Sequence, residues 1–516
     1  MSEVALRKPL AAVDLGSNSF RLLIAEVDQS SAGPQLRILD QIKEVVRLGA
    51  GLGDDMTLSD EARQRALQAL GRFAERLQGL ELEAFRAVAT NTFRVARNID
   101  VFLKEASEAL GRPIEVVAGR EEARLIYVGA AHSLPLDHQL RLLVDIGGGS
   151  TECVIGVDDV VRRRESLQIG CVALTQLFFG QGKITRGAMR KARLHCGERL
   201  AEHVRAFQRV GWQYAIGTSG TAKALLQLVE ANFGHSLITR EGLSRLEDMC
   251  VEAGHADALD KLPGLKPDRQ PVLAGGLAAM QAVFDEFGIE SMGYCDSALR
   301  EGILYDLLGR ESGSDQREIT ISHLVERYRM DDQHGRQVAE LASWLLAELT
   351  AGAGAGARGP AVPDDHSLRW AARIREIGSF IAHDNAHKHG AYIVGNADLP
   401  GFSAMEQQEL ATFVLGQSGG LKKLRVRNPD LEQWQKILCL RLAVILQRRR
   451  DGRETPISIR ALPGGPEAGW VLSLPAAWAE QHPLTDQSLR EEIEEWGRVG
   501  VFKDVSYVLT GSPEEP

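Results

Sequence analysis

Two short stretches of the chain follow one plan, Val13-Asp14-Leu15-Gly16-Ser17 and Val144-Asp145-Ile146-Gly147-Gly148. Each has an apolar residue, an aspartate, a second apolar residue, a glycine and a small residue. An apolar run precedes each stretch and another follows it, which is typical of a strand, a tight turn and a second strand. The sequence therefore predicts a duplicated β-hairpin, with one copy in each of two domains.

The residues around the two hairpins predict further strands and helices. The predicted strands are residues 10–15, 20–27, 36–46, 85–89, 114–117, 140–146, 151–157 and 214–216. The predicted helices are residues 59–77, 121–131, 222–232, 271–287 and 298–308. Ser59 is a candidate N-cap because its hydroxyl can accept a hydrogen bond from the first turn.

The character of the sequence changes after Gly309. Residues 311–317 are polar and predict a linker, whereas residues 319–446 have helical spacing. Alternating Ala and Gly at 351–357 interrupt the helical region and predict a flexible segment. Strand-like runs and a helical run after Pro456 predict a small α/β domain. The predicted domains are residues 1–133, 134–310, 318–447 and 454–516.

Composition and charge exclude several classes of protein. The 516 residues are 44% hydrophobic and 25% charged, which is ordinary for a globular chain able to bury a large core. The net charge of −10 argues against non-specific nucleic-acid binding, so a polyanionic substrate would have to meet a local group of cations.

The sequence also indicates where in the cell the protein is located. No run of about 18 apolar residues could span a membrane, and residues 1–9 lack the apolar run of a signal peptide. The six cysteines form no C-x-x-C pair, which indicates reduced, buried thiols in the cytoplasm. Peripheral contact with a membrane surface stays open.

Glycine turns of this plan can hold phosphate. Glycine lets backbone N–H groups approach an anion without a Cβ in the way, and successive N–H groups form a concave anion nest. Side-chain donors accompany the turns at Ser17, Asn18, Ser150 and Thr151. A phosphate chain or a nucleotide could then be bound from both sides. The alternative is a pair of ordinary hairpin turns, which do not require an aspartate at this position twice.

Carboxylates lie beside these turns. Asp14 and Asp145 end strands where they would repel phosphate unless they hold a hard cation such as Mg²⁺. Glu152 follows the second turn, and Glu121 begins a predicted helix after Gly119. A carboxylate at a helix start also stabilises the helix dipole, which is the alternative role for Glu121.

Two further features suggest phosphate contacts. Arg94 can bind phosphate through two parallel hydrogen bonds, although it can equally form a surface ion pair. Ser219 lies in Gly217-Thr218-Ser219-Gly220-Thr221, which predicts a strand-to-helix turn for a phosphate or nucleoside. The alternative for this turn is a capped helix start.

Five motifs, taken in order, carry a family resemblance. They are Val13-Asp14-Leu15-Gly16-Ser17-Asn18-Ser19, Ala89-Thr90-Asn91-Thr92-Phe93-Arg94, Gly119-Arg120-Glu121-Glu122-Ala123-Arg124, Asp145-Ile146-Gly147-Gly148-Gly149-Ser150-Thr151-Glu152 and Gly217-Thr218-Ser219-Gly220-Thr221. Over roughly residues 10–308 they resemble the exopolyphosphatase/guanosine pentaphosphate phosphohydrolase family, and the remainder resembles its long bacterial form. The resemblance implies an actin-like (ribonuclease-H-like) two-domain α/β core with the active site in the cleft, Mg²⁺ dependence and a homodimer. Whether a monovalent cation such as K⁺ takes part stays open.

The resemblance also implies roles for individual residues. Glu121 would be the catalytic base for the attacking water. Asp145 and Glu152 would be catalytic by positioning the metal ion and the water, and Asp14 would join them as a metal ligand. The predicted phosphate-binding residues are Ser17, Asn18, Arg94, Gly147, Gly148, Ser150, Thr151 and Ser219.

The third predicted domain resembles an HD-type phosphohydrolase domain without its metal-binding His-Asp pair. The matching place reads Arg375-Glu376-Ile377-Gly378, and arginine cannot ligate a cation. We therefore expect this domain to be inactive. The neighbouring His383, His387 and His389 either bind a metal ion, or have a structural role, or contact a long substrate or a dimer mate.

Two other motifs are set aside. Residues 354–359 fit G-x-G-x-x-G but follow a helical stretch in low-complexity sequence, so they lack the strand that a dinucleotide site needs. The basic residues 448–450 predict a solvated helix end rather than a polyanion site.

Four functions are compatible with these residues. The first is an exopolyphosphatase that releases orthophosphate. The second is a guanosine pentaphosphate (pppGpp) 5′-phosphohydrolase that produces ppGpp, and one enzyme could have both activities. A kinase or chaperone ATPase of the same fold and a non-catalytic alarmone-binding regulator are the others. We favour polyphosphate because the chain has the full long form, whose helical domain could extend the cleft.

Overall fold

The computed structural model describes residues 8–30, 33–53, 55–311, 315–350, 365–450, 456–463 and 467–511. It divides into two compact units, Met1–Gln316 and Arg317–Pro516. Both predicted core domains fall within the first unit, and the finer division into four domains stays a prediction. The G-x-G-x-x-G match and the Ala/Gly segment at 351–357 lie outside the described residues.

The first sheet of the first unit contains the first predicted hairpin. Its strands are β1 (Leu10–Leu15), β2 (Ser19–Ser30), β3 (Gly33–Val45), β4 (Ala84–Ala89) and β5 (Ile114–Val116), in the order β3-β2-β1-β4-β5. β1 is antiparallel to β2 and parallel to β4. The helices in this part of the chain are α1 (Asp60–Leu77), α2 (Asn91–Val95), α3 (Ile99–Leu110) and α4 (Gly119–Ala131).

The apolar run of β1 is continuous because both of its faces are covered. Ala11, Val13 and Leu15 pack in a core with residues of α1 and α3. Leu10 and Ala12 belong to a second core on the opposite face. Strands buried on both faces have this unbroken hydrophobic pattern. The predicted N-cap is confirmed, since the Ser59 hydroxyl accepts a hydrogen bond from the backbone of α1.

The second sheet repeats the strand pairing of the first around its hairpin. Its strands are β6 (Arg141–Ile146), β7 (Thr151–Val157), β8 (Val160–Leu167), β9 (Tyr214–Thr218), β10 (Ile238–Thr239) and β11 (Ser291–Tyr294), in the order β10-β11-β9-β6-β7-β8. β6 is antiparallel to β7 and parallel to β9, as β1 is to β2 and β4. The duplicated hairpin is therefore confirmed. The helices are α5 (Cys171–Phe178), α6 (Arg186–Val210), α7 (Ser219–Phe233), α8 (Arg240–Ala253), α9 (Leu273–Phe287) and α10 (Leu299–Glu311).

Two helices join the two sheets by crossing between them. α4 follows the first sheet in sequence but packs against β7 and β8, whereas α10 follows the second sheet and packs against β1 and β4. Gly129 and Gly302 lie at the crossing, where a Cβ on Gly302 would be 1.8 Å from the carbonyl oxygen of Leu125. Only glycine allows this backbone approach. The shared core of the two sheets makes the unit compact.

The second unit is mainly helical, as predicted. Its helices are α11 (Gln316–Arg327), α12 (Asp332–Thr350), α13 (His366–Ile374), α14 (Ala386–Asn396), α15 (Ala404–Gly416), α16 (Leu431–Leu446), α17 (Ala476–Gln481) and α18 (Pro483–Val499). Its strands are β12 (Ser458–Ala461), β13 (Gly469–Pro475) and β14 (Asp504–Thr510), with β13 between the other two. In the part of the chain that the structure describes, no helix is long and apolar enough to cross a membrane.

Most predicted elements exist, with shifted ends. α7 begins three residues before the predicted start, at Ser219 itself. A 3-10 turn at Gln270–Val272 takes the start of the predicted helix 271–287. Helices α3, α6 and α8 and strand β8 were not predicted. α6 and β8 carry many charged residues, which obscure the apolar periodicity on which the prediction depended.

Candidate active site

The two glycine turns meet each other across a cleft. A Cβ added to Gly148 would lie 3.1 Å from the Cβ of Ser17 and 3.3 Å from the backbone nitrogen of Asn18. A Cβ added to Gly149 would lie 2.4 Å from Oδ1 of Asn91. Glycine at these positions therefore lets the second hairpin touch the first. The two copies of the predicted motif form one site.

One donor in this site has no acceptor. Asn18 lines the cleft, and its Nδ2 atom is buried without a hydrogen-bond partner among the described residues. Next to it, the Ser17 hydroxyl accepts a hydrogen bond from the Thr92 hydroxyl at 2.8 Å. A buried donor without an acceptor costs about 1–3 kcal/mol. A ligand oxygen in the cleft would satisfy it.

The cleft has a volume of about 440 Å³ and takes its lining from both hairpins and from the first turns of α7 and α10. The predicted site residues in its lining are Asp14, Ser17, Asn18, Asp145, Gly147, Gly148 and Ser219. Ser219 has a φ of +63° and donates its hydroxyl hydrogen bond to the carbonyl of Ile146 at 3.2 Å, so the side chain ties α7 to the second turn.

The other predicted phosphate donors of the second turn are buried behind the cleft surface. The Thr151 hydroxyl donates to the carbonyl of Ile169 at 2.6 Å. Ser150 is 3% exposed, and its carbonyl accepts a hydrogen bond from Gly147. Neither residue is in the lining of the cleft, and their contact with phosphate stays a prediction.

Four carboxylates are buried in or beside the cleft, and burial raises the pKa of each of them. Burial raises the pKa of Asp14 to about 7, with further increases from Glu122 and Asp145 against the opposing effect of Arg21. Burial also raises the pKa of Asp145, although Thr218 donates a 2.9 Å hydrogen bond to it.

Glu152 also belongs to this acidic group, although it is not in the lining of the cleft. It lies opposite Asp145 in the β6–β7 pair and accepts a 2.7 Å hydrogen bond from Ser166. Its pKa is raised well above the usual value by burial, by Glu122 and by Asp145. The carboxylates thus form one acidic group, and the metal-binding role predicted for Asp14, Asp145 and Glu152 stays a prediction.

The structure places the predicted base, Glu121, outside the lining of the cleft. Glu122, and not Glu121, lines the cleft. Glu121 is 2% exposed and both of its oxygens accept hydrogen bonds from Arg124, at 2.7 and 2.9 Å. Adjacent residues on a helix point about 100° apart, so both glutamates cannot face the same cleft. The motif contained both candidates, and sequence periodicity could not choose between them.

Arg94 has a different place from the predicted one. Its Nη1 atom donates to Oε2 of Glu122 at 2.7 Å and to the carbonyl of Val117 at 3.0 Å. Burial raises the pKa of Glu122, whereas Arg94 opposes this increase and Asp145 adds to it. Arg94 therefore holds the carboxylate of Glu122 and is not in the lining of the cleft, and its role as a phosphate ligand stays a prediction.

The basic side chains that line the cleft were not predicted from the sequence. They are Arg21, Lys43, Lys223, Lys266, Arg269 and Arg300. Arg21 could have been found, because it lies directly opposite Asp14 in the predicted hairpin. Arg269 packs on Gly220, where a Cβ would be 2.0 Å from its Nη2 atom. Lys43 and Lys223 come from elements distant in sequence, and their positions depend on the tertiary fold.

A divalent cation is compatible with these residues. In the described part of the chain, no three His, Cys, Asp or Glu side chains lie close enough together to hold an ion by themselves. Mg²⁺ is commonly bound by one or two carboxylates together with substrate phosphates and water. The raised pKa values of Asp14 and Asp145 show that their negative charges lack full compensation, which a cation would supply.

The chain matches the models of two known protein families. Residues 23–311, more than half of the chain, match the model of the Ppx/GppA phosphatase family. The chain belongs to the Ppx/GppA phosphatase family. Residues 316–493 match Ppx/GppA phosphatase domain III. The predicted actin-like two-sheet core with an added helical domain is confirmed.

Solved structures resemble the Ppx/GppA core of this chain. An exopolyphosphatase-like protein is 28% identical with a TM-score of 0.53, and the match covers 58% of this chain and 97% of that one. An exopolyphosphatase from Cytophaga hutchinsonii is 24% identical with a TM-score of 0.52, and the match covers 58% and 98% of the two chains. The second likeness concerns the fold alone.

In the second unit, an ion pair fills the place that matches an HD centre. Arg375 is buried and donates to Glu376 at 2.8 Å and to the carbonyl of Ala372 at 3.0 Å. Arg450 donates to the same Glu376 at 2.8 Å. Near them, burial and the cations around it lower the pKa of His387 to about 4. None of the described histidines belongs to a group that could hold a metal ion.

Proposed function

We propose that this chain is an exopolyphosphatase, which hydrolyses the terminal phosphate of inorganic polyphosphate with Mg²⁺ and releases orthophosphate. The proposal rests on the contact between the two glycine turns, beside the buried Asn18 amide that has no acceptor among the described residues. A tetrahedral oxyanion supplies the acceptor that this amide needs. The exopolyphosphatase-like structure at 28% identity supports the same substrate class.

Binding places the terminal phosphate between the turns. The Asn18 amide and the Ser17 hydroxyl donate hydrogen bonds to its oxygens, and Gly148 lets the second turn approach these two residues closely. Arg21, Arg269 and Arg300 balance the negative charge of the phosphate chain. Arginine suits this role because its planar fork matches two phosphate oxygens.

Glu122 accepts the proton of the attacking water. The water oxygen forms a bond to the terminal phosphorus, the bridging P–O bond breaks, and its electron pair leaves with the shortened chain. Arg94 fixes the Glu122 carboxylate, and the raised pKa of Glu122 makes it a stronger base than an exposed glutamate. The products are orthophosphate and a chain one phosphate shorter.

Asp14 and Asp145, which line the cleft, are the residues that would hold Mg²⁺ together with substrate oxygens and water, and Glu152 lies opposite Asp145 in the strand pair. A bound Mg²⁺ neutralises charge on the phosphate oxygens and on the carboxylates. Thr218 orients Asp145 and Ser166 orients Glu152 through the hydrogen bonds already described. These hydroxyls keep the two carboxylates directed toward the site while their charges repel each other.

The cleft lining favours polyphosphate over a nucleotide. Six basic side chains line the cleft, whereas Tyr294 is the aromatic residue in its described lining. A guanine base usually requires an apolar or aromatic slot. Repeated phosphates require only repeated cations, which this surface supplies.

One observation favours pppGpp as a second candidate substrate. The Tyr294 ring lies 5.7 Å from the ammonium of Lys223, and its hydroxyl donates to Asp296 at 2.6 Å. A guanine ring could stack on Tyr294 while the Asp296 carboxylate accepts from the base edge. Hydrolysis would then produce ppGpp by the same water attack.

Side-by-side measurement of orthophosphate release separates the two substrates. The purified protein with Mg²⁺ is given long-chain polyphosphate or pppGpp, and kcat/KM is compared. We expect a higher value for polyphosphate. The Tyr294→Ala variant should change kcat/KM for pppGpp alone. A preference of the wild type for pppGpp would overturn the polyphosphate assignment, and release from neither would overturn the hydrolase assignment.

The homodimer and the cytoplasmic location stay predictions. Light scattering on the eluted protein tests the first, since a monomer has a mass of 56.4 kDa. A mass of one protomer across micromolar concentrations would contradict the dimer.

A further inference from the structure

A buried ion network connects α4 to α10. Arg124 of α4 donates two hydrogen bonds to Glu121 and a third to Asp306 of α10. Asp306 also accepts from Arg86 of β4 at 2.8 Å. Arg310 lies 3.2 Å from the same carboxylate. We call Glu121, Arg124, Asp306 and Arg86 the ion network.

The ion network is rigid because every charge in it is both buried and paired. The side chains of its four members are between 1% and 7% exposed. Burial raises the pKa of Asp306, but Arg124, Arg86 and Arg310 together hold it well below the usual range. Breaking one buried pair would leave a charge uncompensated, which is strongly destabilising. The side chains therefore have little freedom to leave this arrangement.

The ion network lies between two helices that both reach the cleft. The first turn of α4 carries Glu122 next to Glu121. The first turn of α10 carries Arg300, which lines the cleft and lowers the pKa of Asp14. Gly129 and Gly302 hold the two helices in backbone contact. A rotation of α4 about its axis would have to break both the glycine contact and the ion network.

This arrangement fixes the direction of Glu122. Arg124 belongs to α4 and Asp306 to α10, so the contact between them fixes the rotation of the first turn of α4. Glu121 accepts a fork of two hydrogen bonds from Arg124 and so holds the guanidinium in the orientation that reaches Asp306. The fixed rotation places the Glu122 carboxylate at the cleft and within 2.7 Å of Arg94. Loss of Glu121 would loosen Arg124 from this orientation and weaken the link to α10, although Arg94 would still attract Glu122.

We propose that Glu121 is a positioning residue, which acts with Arg124 and Asp306 to aim the neighbouring Glu122 at the water. This inference rests on the proposed function, because it takes Glu122 as the base. Glu121 itself touches neither substrate nor water. Its contribution to turnover passes entirely through Glu122.

A double-mutant cycle tests this dependence. We expect Glu121→Gln to lower kcat about ten- to a hundredfold, because small displacements of a reacting group have effects of this size. KM should stay within about twofold, since ground-state binding is unchanged. In the Glu122→Gln background, the same change should have no further effect on kcat, because the group that Glu121 aims is already absent. Independent, multiplying losses would overturn the proposal.

A matched control separates positioning from stability. In the second unit, Arg441 and Glu492 form another buried two-point pair, and Arg441 also donates to the carbonyl of Gly416. Glu492→Gln should lower the melting temperature at least as much as Glu121→Gln and leave kcat unchanged. A loss of kcat in Glu492→Gln equal to that in Glu121→Gln would show a general stability effect and overturn the proposal.

A conservative variant tests the geometry of the fork. Arg124→Lys keeps the positive charge but cannot make two parallel hydrogen bonds. We expect it to lower kcat as much as Glu121→Gln does. A folded Arg124→Lys protein with wild-type kcat would overturn the role assigned to the fork.

Hydrogen exchange tests the positioning role of Glu121 without a measurement of activity. If the wild type hydrolyses neither polyphosphate nor pppGpp, the proposed function fails. The backbone amides of residues 119–125 should still exchange faster in Glu121→Gln than in the wild type, because the first turn of α4 is no longer fixed. Unchanged exchange there would overturn the positioning role by itself.

Discussion

Charged side chains are arranged in opposite ways in the cleft of the first unit and in the HD-like centre of the second unit. The HD-like centre consists of Arg375, Glu376 and Arg450. In the cleft, burial raises the pKa of Asp14 and Glu122 and the neighbouring Asp145 raises both further, so like charges are gathered. In the second unit, Arg375 and Arg450 are both paired with Glu376. The carboxylates of the cleft can still bind a ligand, whereas the arginines of the HD-like centre are already paired with Glu376.

The same contrast exists between two adjacent residues. Glu121 has a neighbouring arginine that satisfies both of its oxygens, whereas Glu122 keeps one edge on the cleft. Both glutamates are buried, so burial alone does not identify the functional one. A carboxylate near other carboxylates, with incomplete pairing, is the better candidate for chemistry.

Removal of the divalent cation should have the largest effect. We expect chelation by EDTA to reduce orthophosphate release to the background rate, at least about a hundredfold, because the acidic group then repels the substrate. Dialysis into Mg²⁺ should restore release. Undiminished hydrolysis in a metal-free preparation would contradict the role of the acidic cleft.

Asp14→Asn should change how stability depends on pH. The folded-state pKa of about 7 lies above the ordinary value of about 3.9, so the folded protein binds this proton more tightly than the unfolded chain. Wild-type stability contributed by this group is therefore present below about pH 4 and is lost as the pH rises through about 7. The variant should melt several degrees above the wild type at pH 8, and this difference should vanish below pH 4.

Thermal melts from pH 4 to pH 8 measure this difference. Added Mg²⁺ should reduce the advantage of Asp14→Asn at pH 8, because the cation stabilises the ionised carboxylate of the wild type. The Asp137→Asn variant is a control on an aspartate whose pKa is lowered, chiefly by the hydrogen bond from Tyr214. An advantage for Asp14→Asn that is the same at every pH would contradict the raised pKa.

Arg375→Met should have the smallest effect on activity. We expect orthophosphate release to stay within about twofold of the wild type, while the melting temperature falls because Glu376 loses one of its cations. The matched measurement on Arg21→Met, in the cleft, should show a raised KM for polyphosphate. A tenfold loss of turnover in folded Arg375→Met would show that the second unit takes part in the chemistry.

The sequence predicted the parts of the site that local pattern controls. Both hairpins, their turns and the strand-end positions of Asp14 and Asp145 follow from short continuous apolar runs and glycine. It did not predict the direction of Glu122, because that depends on a contact between Arg124 and Asp306, which are 182 residues apart. Arg94 was assigned to phosphate for the same reason, since its partner Glu122 comes from another element.

The turnover of Glu122→Gln tests the assignment of the base most directly. Orthophosphate release from polyphosphate is measured in the wild type and in this variant, with Mg²⁺, together with KM and the melting temperature. We expect kcat to fall by about a hundredfold or more, as for loss of a general base, with KM and the melting temperature nearly unchanged. Wild-type turnover in a folded Glu122→Gln protein would contradict the account.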